Sequence, residues 1–153
     1  MVKNHKPLVS LGIPVYNESV FLEKTITSLI NQSYSNIEII AIDNNSNDSS
    51  FDVLKKLSKK DRRVKIYKND KNIGMSNNFN LVYKKSSGRY FAWIGAHDIY
   101  EENFVENLLS QLNKTKNAAV AFVNISKIDS NGRKFDEVED TGFELSNSSS
   151  ILR

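Results

Sequence analysis

Two periodicities alternate along the first two-thirds of this chain, and that alternation restricts the fold more than any single residue does. Leu8-Val9-Ser10-Leu11-Gly12-Ile13 is a short apolar run closed by Pro14, the mark of a buried strand. Leu22, Ile26, Leu29 and Ile30 then recur at helical spacing and predict a helix from about Glu18 to Gln32. Ile37 to Ile42 reads as a second strand, nearly uniformly apolar. The loop "DNNSNDSS" follows it, with Asp48 or Ser49 placed to cap a helix that turns Leu54 and Leu57 inward. Val64 to Tyr67 predicts a third strand. Met75, Phe79 and Val82 share one face of the next helix, which stops near Gly88. Arg89 to Ile94 is a fourth strand, Phe104 to Leu112 a helix, and Ala118 to Ile125 a further strand. The turn signal "DSNG" then leads into "RKFDEVED", a returning polar strand, and the chain closes on "SNSSSILR".

Strands alternating with helices predict an α/β fold with a mostly parallel sheet covered on both faces. At 153 residues one domain with a real core is expected. The strand C-termini then gather on one edge, where such sheets bind ligands. With no cysteine in the chain, disulfides and thiolate metal sites are excluded, which suits a cytoplasmic protein. The net charge of +3 is mild. Lysines at 55–56, 59–60 and 84–85 beside Arg62 and Arg63 read as solvated helix faces, with phosphate or anionic-membrane contact as the functional alternative. No basic patch is interleaved with stackable aromatics, so nucleic acid is not an expected partner.

Four polar or glycine-bearing loops fall at the predicted strand ends: "PVYNES", "DNNSND", "NDKNIGMSNN" and "GAHD". They contain no dinucleotide fingerprint, no P-loop and no nucleophile elbow, and two histidines are too few for most metal-hydrolase sites. A phosphate held here is therefore neutralised by a cation, by basic side chains or by backbone amides.

Pro14, Tyr16, Asn17 and Glu18 after the first strand, Asp43, Asn44, Ser46 and Asp48 after the second, Asn72 and Gly74 downstream, and "GRYFAWIGAHDIY" at the fourth strand stand in order over about residues 8 to 125. This succession resembles the family 2 glycosyltransferases and their GT-A fold, a Rossmann-like three-layer α/β/α sandwich that binds nucleotide sugars. By that resemblance Tyr16 lies against the base, with Pro14 and Asn17 shaping the pocket and Glu18 also at the nucleotide. A ring that simply covers the sheet end is the alternative. Asp43 would accept from a ring N–H or a ribose hydroxyl, or else close an Asx-turn. Asn44 stands where the family commonly has an aspartate that reads uracil. Ser46 and Asp48 read as loop and cap residues. Gly74 either lets the backbone approach the nucleotide or serves a turn, and Lys71 is near enough to offer a phosphate its charge.

The family's acidic motif is replaced here by Gly95, Ala96, His97 and Asp98, so only the last carboxylate survives. The resemblance implies a divalent cation, Mn²⁺ or Mg²⁺, at Asp98 and His97, with Ala96 and His97 also at the nucleotide. A protonated His97 meeting the phosphate and an Asp98 that caps the next helix are the alternatives. The implied reaction moves a sugar, with inversion, from a nucleotide-diphosphate donor of the UDP-sugar type to a hydroxyl on a saccharide or lipid-linked acceptor. Surface-polysaccharide synthesis in the cytoplasm, at the inner face of the membrane, is the expected setting. Peripheral membrane association and a homo-oligomer are compatible with it. The family's base lies beyond the acidic motif. Asp136, Glu137, Glu139 and Asp140 fall near that region without matching a motif, so the catalytic residue stays unassigned. Because family catalytic domains are longer, residues 1–153 are expected to be a single donor-binding domain truncated at its C-terminus. The rival readings are a non-catalytic nucleotide-sugar-binding or assembly module with a degenerate acidic motif, and a nucleotidyltransferase, whose basic glycine-rich loop is missing.

Overall fold

The computed structural model of the protein describes residues 6–123, 125–130 and 132–137. The chain divides into two compact units, Met1–Leu109 and Ser110–Arg153. The first is built on strands β1 (Val9–Val15), β2 (Ile37–Asp43), β3 (Val64–Lys68) and β4 (Tyr90–Trp93), all parallel and ordered β3-β2-β1-β4. Helices α1 (Leu22–Ile30), α2 (Ser50–Lys60) and α3 (Met75–Lys84) make the crossovers, and α4 (Phe104–Lys114) follows β4. The register pairs Val15 with Asp43 at the ends of β1 and β2, so the loops leaving these strands start side by side.

Alternation along the strands sorts the core into two faces. Leu11, Ile13 and Val15 join Ile39 and Ala41 against Leu22, Ile26 and Leu29 of α1 and Leu54 and Leu57 of α2, and Val105 and Leu109 belong to the same cluster. On the opposite face Ile40 and Ile42 meet Val82, with half-buried Leu81 and Phe91 beside them. This is the expected three-layer sandwich. Gly12 makes the second face possible, since a Cβ there would stand 2.5 Å from Val82 Cγ1 and 2.7 Å from Phe91 Cζ.

Helix α1 begins later than its periodicity predicts. Residues 18–21 form a turn in which Phe21 and Leu22 N–H groups both donate to the Glu18 carbonyl. Phe21 at the N-cap supplies no side-chain bond, a loss of about 1 kcal/mol. The burial of Leu22, Ile26 and Leu29, about 1.5–3 kcal/mol each, outweighs it. In α3 the predicted apolar face is shifted. Met75 is 74% exposed, and Asn78 takes the inward place beside Val82.

Strand β2 is less apolar inside than its sequence suggests. Glu38 is 3% exposed and accepts from Ser10 Oγ at 2.6 Å, Lys65 Nζ at 2.6 Å, Ser87 N at 2.7 Å and Ser87 Oγ at 2.8 Å. Ser10 Oγ in turn accepts from Gly88 N at 2.8 Å. One carboxylate thus ties together β1, β2, β3 and the turn before β4.

The second unit contains a hairpin of β5 (Ser126–Ile128) and β6 (Lys134–Glu137), joined through a turn in which Gly132, at φ 84°, donates to the Asp129 carbonyl. The turn at "DSNG" and the returning strand agree with expectation. The strand expected over Ala118 to Ile125 does not form in 118–123 or at 125. Val120 (60%), Phe122 (74%) and Ile125 (73%) are exposed, and without a ladder partner among the described residues apolar alternation does not make a strand. Asp136 and Glu137 fall on β6, where the backbone alone is described, and Glu139 and Asp140 lie outside the described residues. No helix among the described residues is long and apolar enough to cross a membrane.

Candidate functional site

The loops after β1 and β2 are laced together at the C-terminal edge of the sheet. Asn17, at φ 58°, donates its N–H to Ser46 Oγ at 2.9 Å and accepts from Asn47 N on Oδ1 at 3.0 Å. Glu18 N–H donates to Ser50 Oγ at 2.8 Å and Ser19 N–H to Asp48 Oδ2 at 3.0 Å. Asp48 also accepts from Ser50 N at 2.9 Å. Although partial burial works against its charge, the bonds from Ser50 and Ser19 hold its carboxyl down to about 2. Ser46 and Asp48 are thus loop-bracing residues, as expected. The N-cap position itself is Ser49, whose side chain makes no cap bond.

Asp43 closes β2 with its side chain fully buried. Its Oδ2 accepts from Ser46 N at 3.1 Å, the Asx-turn, and lies 3.9 Å from Lys68 Nζ. Its Oδ1 has no partner, the one such buried side-chain oxygen or nitrogen among the described residues. A buried acceptor left unsatisfied costs about 1–3 kcal/mol, and such atoms call for an explanation. The Asx-turn reading of Asp43 is thus seen in Oδ2, while Oδ1 is left as a buried acceptor without a partner.

Asn44 is 3% exposed and its amide is spent inside the protein. Oδ1 accepts from Asn69 Nδ2 at 2.9 Å and Ile73 N at 3.0 Å, while Nδ2 donates to Asn72 Oδ1 at 2.9 Å. Asn72 Oδ1 also accepts from Gly74 N at 2.9 Å. Asn69 reaches Asn78 Oδ1 at 3.1 Å, and Asn78 donates to the Ile42 carbonyl at 3.1 Å. Asn44 therefore sets the loop between β3 and α3 instead of offering its amide at the surface. The sequence reading missed Asn69 and Asn78, whose only signal was the density of asparagine in "NDKNIGMSNN". Asn44→Asp, which would install the residue common in the resembling family, is expected to destabilise the fold by about 1–2 kcal/mol in urea unfolding. A carboxylate oxygen there would face Asn72 Oδ1, which cannot turn away without abandoning Gly74 N–H.

Gly74 stands at φ 83° with nothing within 4 Å of where a Cβ would be, so its left-handed backbone is what requires glycine. Lys71 is exposed and lines an open depression with Lys68, Asn69, Asp70, Ile73 and Leu81. Tyr16 stands at the sheet edge, 45% exposed, with Pro14 partly buried beneath the same loop.

The turn after β4 brings the last candidates to this edge. Ala96 is buried and its carbonyl accepts from Thr25 Oγ1 at 3.0 Å. His97 Nδ1 lies 3.2 Å from Glu18 Oε1 and 3.3 Å from Oε2, joining the β4 turn to the loop after β1. Asp98 is exposed and does not cap α4, which starts at Phe104. Its carboxylate folds over Gly95, where an added Cβ would meet Oδ2 unless the exposed Asp98 side chain turned aside. Tyr100, which sequence reasoning passed over, braces this turn. Its hydroxyl accepts from Gly95 N at 2.9 Å and donates to Asp98 Oδ2 at 3.5 Å. Burial pushes the phenol up to about 12; the Gly95 bond opposes the rise and Asp98 adds to it, so the hydroxyl remains a donor at neutral pH.

No group of three His, Asp or Glu side chains converges among the described residues. The candidates left are one imidazole held against Glu18 and one exposed carboxylate that accepts from the Tyr100 hydroxyl, and by themselves they do not make an all-protein cation cage.

The glycosyl transferase family 2 model matches residues 10–149. An uncharacterized glycosyltransferase of Haemophilus influenzae is 39% identical over 108 residues, covering 71% of this chain and 33% of its own length. Glycosyltransferase GlyA of Streptococcus pneumoniae is 33% identical over 104 residues, covering 68% of this chain and 15% of its own. Among solved structures, S. aureus TarS 1-349 in complex with UDP superposes at TM-score 0.64 with 18% identity, over 69% of this chain and 32% of that one. The mannosyltransferase PcManGT of Pyrobaculum calidifontis, in complex with GDP-Man and Mn²⁺, superposes at TM-score 0.65 with 17% identity, over 71% and 33%. These likenesses show the fold, and the chain spans about a third of the length of the Haemophilus relative. The strand-end loops, the three-layer sheet and the family match lead to one conclusion: this chain belongs to glycosyl transferase family 2 and carries its GT-A, Rossmann-like fold.

Proposed function

We propose that the chain is the donor-binding part of an inverting glycosyltransferase that takes a nucleotide-diphosphate sugar, of the UDP-sugar type, and serves a hydroxyl acceptor on a saccharide or lipid in surface-polysaccharide synthesis. The unpartnered Oδ1 of buried Asp43 carries this reading. An acceptor fixed at a strand end suits a ring N–H of a base, which uracil, thymine and guanine all offer, once the loop that covers it gives way. Exposed Tyr16, one strand away on the paired edge, gives the flat face on which a base would stack.

In the reaction a carboxylate base takes the proton of the acceptor hydroxyl, the hydroxyl oxygen bonds to the anomeric carbon, and the bond to the diphosphate breaks with its electron pair. His97 and Asp98 would hold a divalent cation, which when bound neutralises the leaving diphosphate. The acceptor-side base is not assigned among the described residues. The cysteine-free composition fits action in the cytoplasm at the inner membrane face.

Calorimetric titration of UDP, GDP and TDP with and without Mn²⁺, repeated on Asp98→Ala, tests the reading. UDP binding that needs the cation and is lost in the variant is the expected result. If no nucleotide binds in any condition, the donor-site reading is wrong. Nucleotide binding unaffected by cation or by Asp98→Ala instead favours a binding module with a decayed acidic motif.

A further inference from the structure

Helix α1 and the residue just past its end carry a polar row that packing alone does not require. Thr25 is fully buried and Gln32 is 6% exposed, beside the inward-facing Leu22, Ile26 and Leu29. Apolar side chains of the same size would fill this space with no polar atom to satisfy. The polar atoms instead reach the backbone of the segment that follows β4. Thr25 Oγ1 donates to the Ala96 carbonyl at 3.0 Å. Ser28 Oγ accepts from Tyr100 N at 3.1 Å. Gln32 Nε2 donates to the Glu101 carbonyl at 2.7 Å, and its Oε1 accepts from Val105 N at 3.0 Å. Positions 25, 28 and 32 follow one another at the spacing of a single helix face.

The anchors at Ala96 and Tyr100 bracket His97, Asp98 and Ile99, all of them exposed. The path of the chain through His97 and Asp98 is thus set by α1 from both sides. The same helix starts from the loop after β1, where the Glu18 carbonyl accepts from Phe21 N and Leu22 N. One element therefore spaces the loop of Tyr16 and Asn17 from the turn of His97 and Asp98.

Resting on the donor-site reading above, we propose that Thr25 and Gln32 are positioning residues for nucleotide-sugar binding, which hold the backbone before and after His97–Asp98 where that turn meets the donor. Neither acts on the donor directly. Each works through main-chain atoms, so the clamp is indifferent to which side chains stand at 97 and 98. A misplacement of about 1 Å is enough to weaken a site whose own residues are all present.

The test compares UDP affinity, titrated with Mn²⁺ present, with Tm for two substitutions at one position, at a temperature where every variant is folded. Thr25→Val keeps the methyl packing and loses the donor to Ala96. Thr25→Ser keeps the donor and loses the methyl group. Both should melt below native protein. Thr25→Val should bind UDP about tenfold more weakly, whereas Thr25→Ser should stay within about twofold of native. A merely structural role would make affinity follow Tm in both. Gln32→Leu should weaken UDP binding as Thr25→Val does, and if it fails to fold the Thr25 pair decides. Native affinity in Thr25→Val, or equal weakening in Thr25→Val and Thr25→Ser, would overturn the proposal while leaving nucleotide binding in place. No UDP binding by native protein overturns the donor-site reading, and this inference with it.

Discussion

Asp43→Asn is expected to weaken UDP binding by about ten- to a hundredfold while leaving thermal stability unchanged or higher. The two effects separate because the two carboxylate oxygens do different work. Oδ2 accepts from Ser46 N and closes the turn, and an amide oxygen can continue to do so. Oδ1 is buried without a partner, and in the variant it becomes an NH₂ group that faces a base N–H donor to donor. Removing a buried charge that has only Lys68, 3.9 Å away, relieves the free protein of a desolvation cost. Isothermal titration and a melting curve on the same preparation check both halves. Native-like UDP binding in the variant would show that Asp43 is structural only.

The second large effect lies at the other end of the sheet. Glu38→Ala is expected to destabilise the protein by about 3 kcal/mol in urea unfolding, because it leaves the Ser10 hydroxyl, the Ser87 N–H and hydroxyl, and the Lys65 ammonium without their common acceptor. Burial alone would raise the Glu38 carboxyl, but the bonds from Lys65, Ser10 and Ser87 outweigh it and hold the group down to about 2, against an ordinary 4.5. A depressed carboxyl stabilises the fold above its unfolded value and loses that stabilisation as pH falls through the folded one. Native protein should therefore lose about 3 kcal/mol between roughly pH 4.5 and 2 on this account, and Glu38→Ala should show a shallower acid limb. Lys65 is 48% exposed, so salt should weaken that part of the network and leave the serine bonds intact. An acid limb unchanged in the variant would move the effect to Asp48, whose carboxyl is also held near 2.

The two predictions concern one residue that sequence reading singled out and one that it passed over. The loop of Asp43 was legible because strand C-termini of a parallel sheet share one edge, and the resemblance to the family pointed to Asp43 within it. Glu38 was not identified, since one acid in Ile37–Ile42 does not disturb an apolar pattern, and its partners lie 27 to 49 residues away. Asn44 shows an intermediate case. Its position in the loop was legible, but an amide that faces a base and one that braces a neighbouring loop have the same local sequence. The strand expected at 118–125 failed for the converse reason: apolar alternation was present, but a strand also needs a neighbour to complete its hydrogen bonds.

By itself the sequence determined the alternation of strands and helices, the parallel sheet and the edge on which the polar loops meet, because hydrophobic period and chain connectivity are local properties. The tertiary structure decided which polar atoms remain available there. It spent the Asn44 amide on the loop before α3, left Asp43 Oδ1 unmatched, and set Glu18 against His97 across 79 residues of chain. Hydrogen-bond partnership in a buried site is settled by groups far apart in sequence, and only the folded chain brings them within reach of each other.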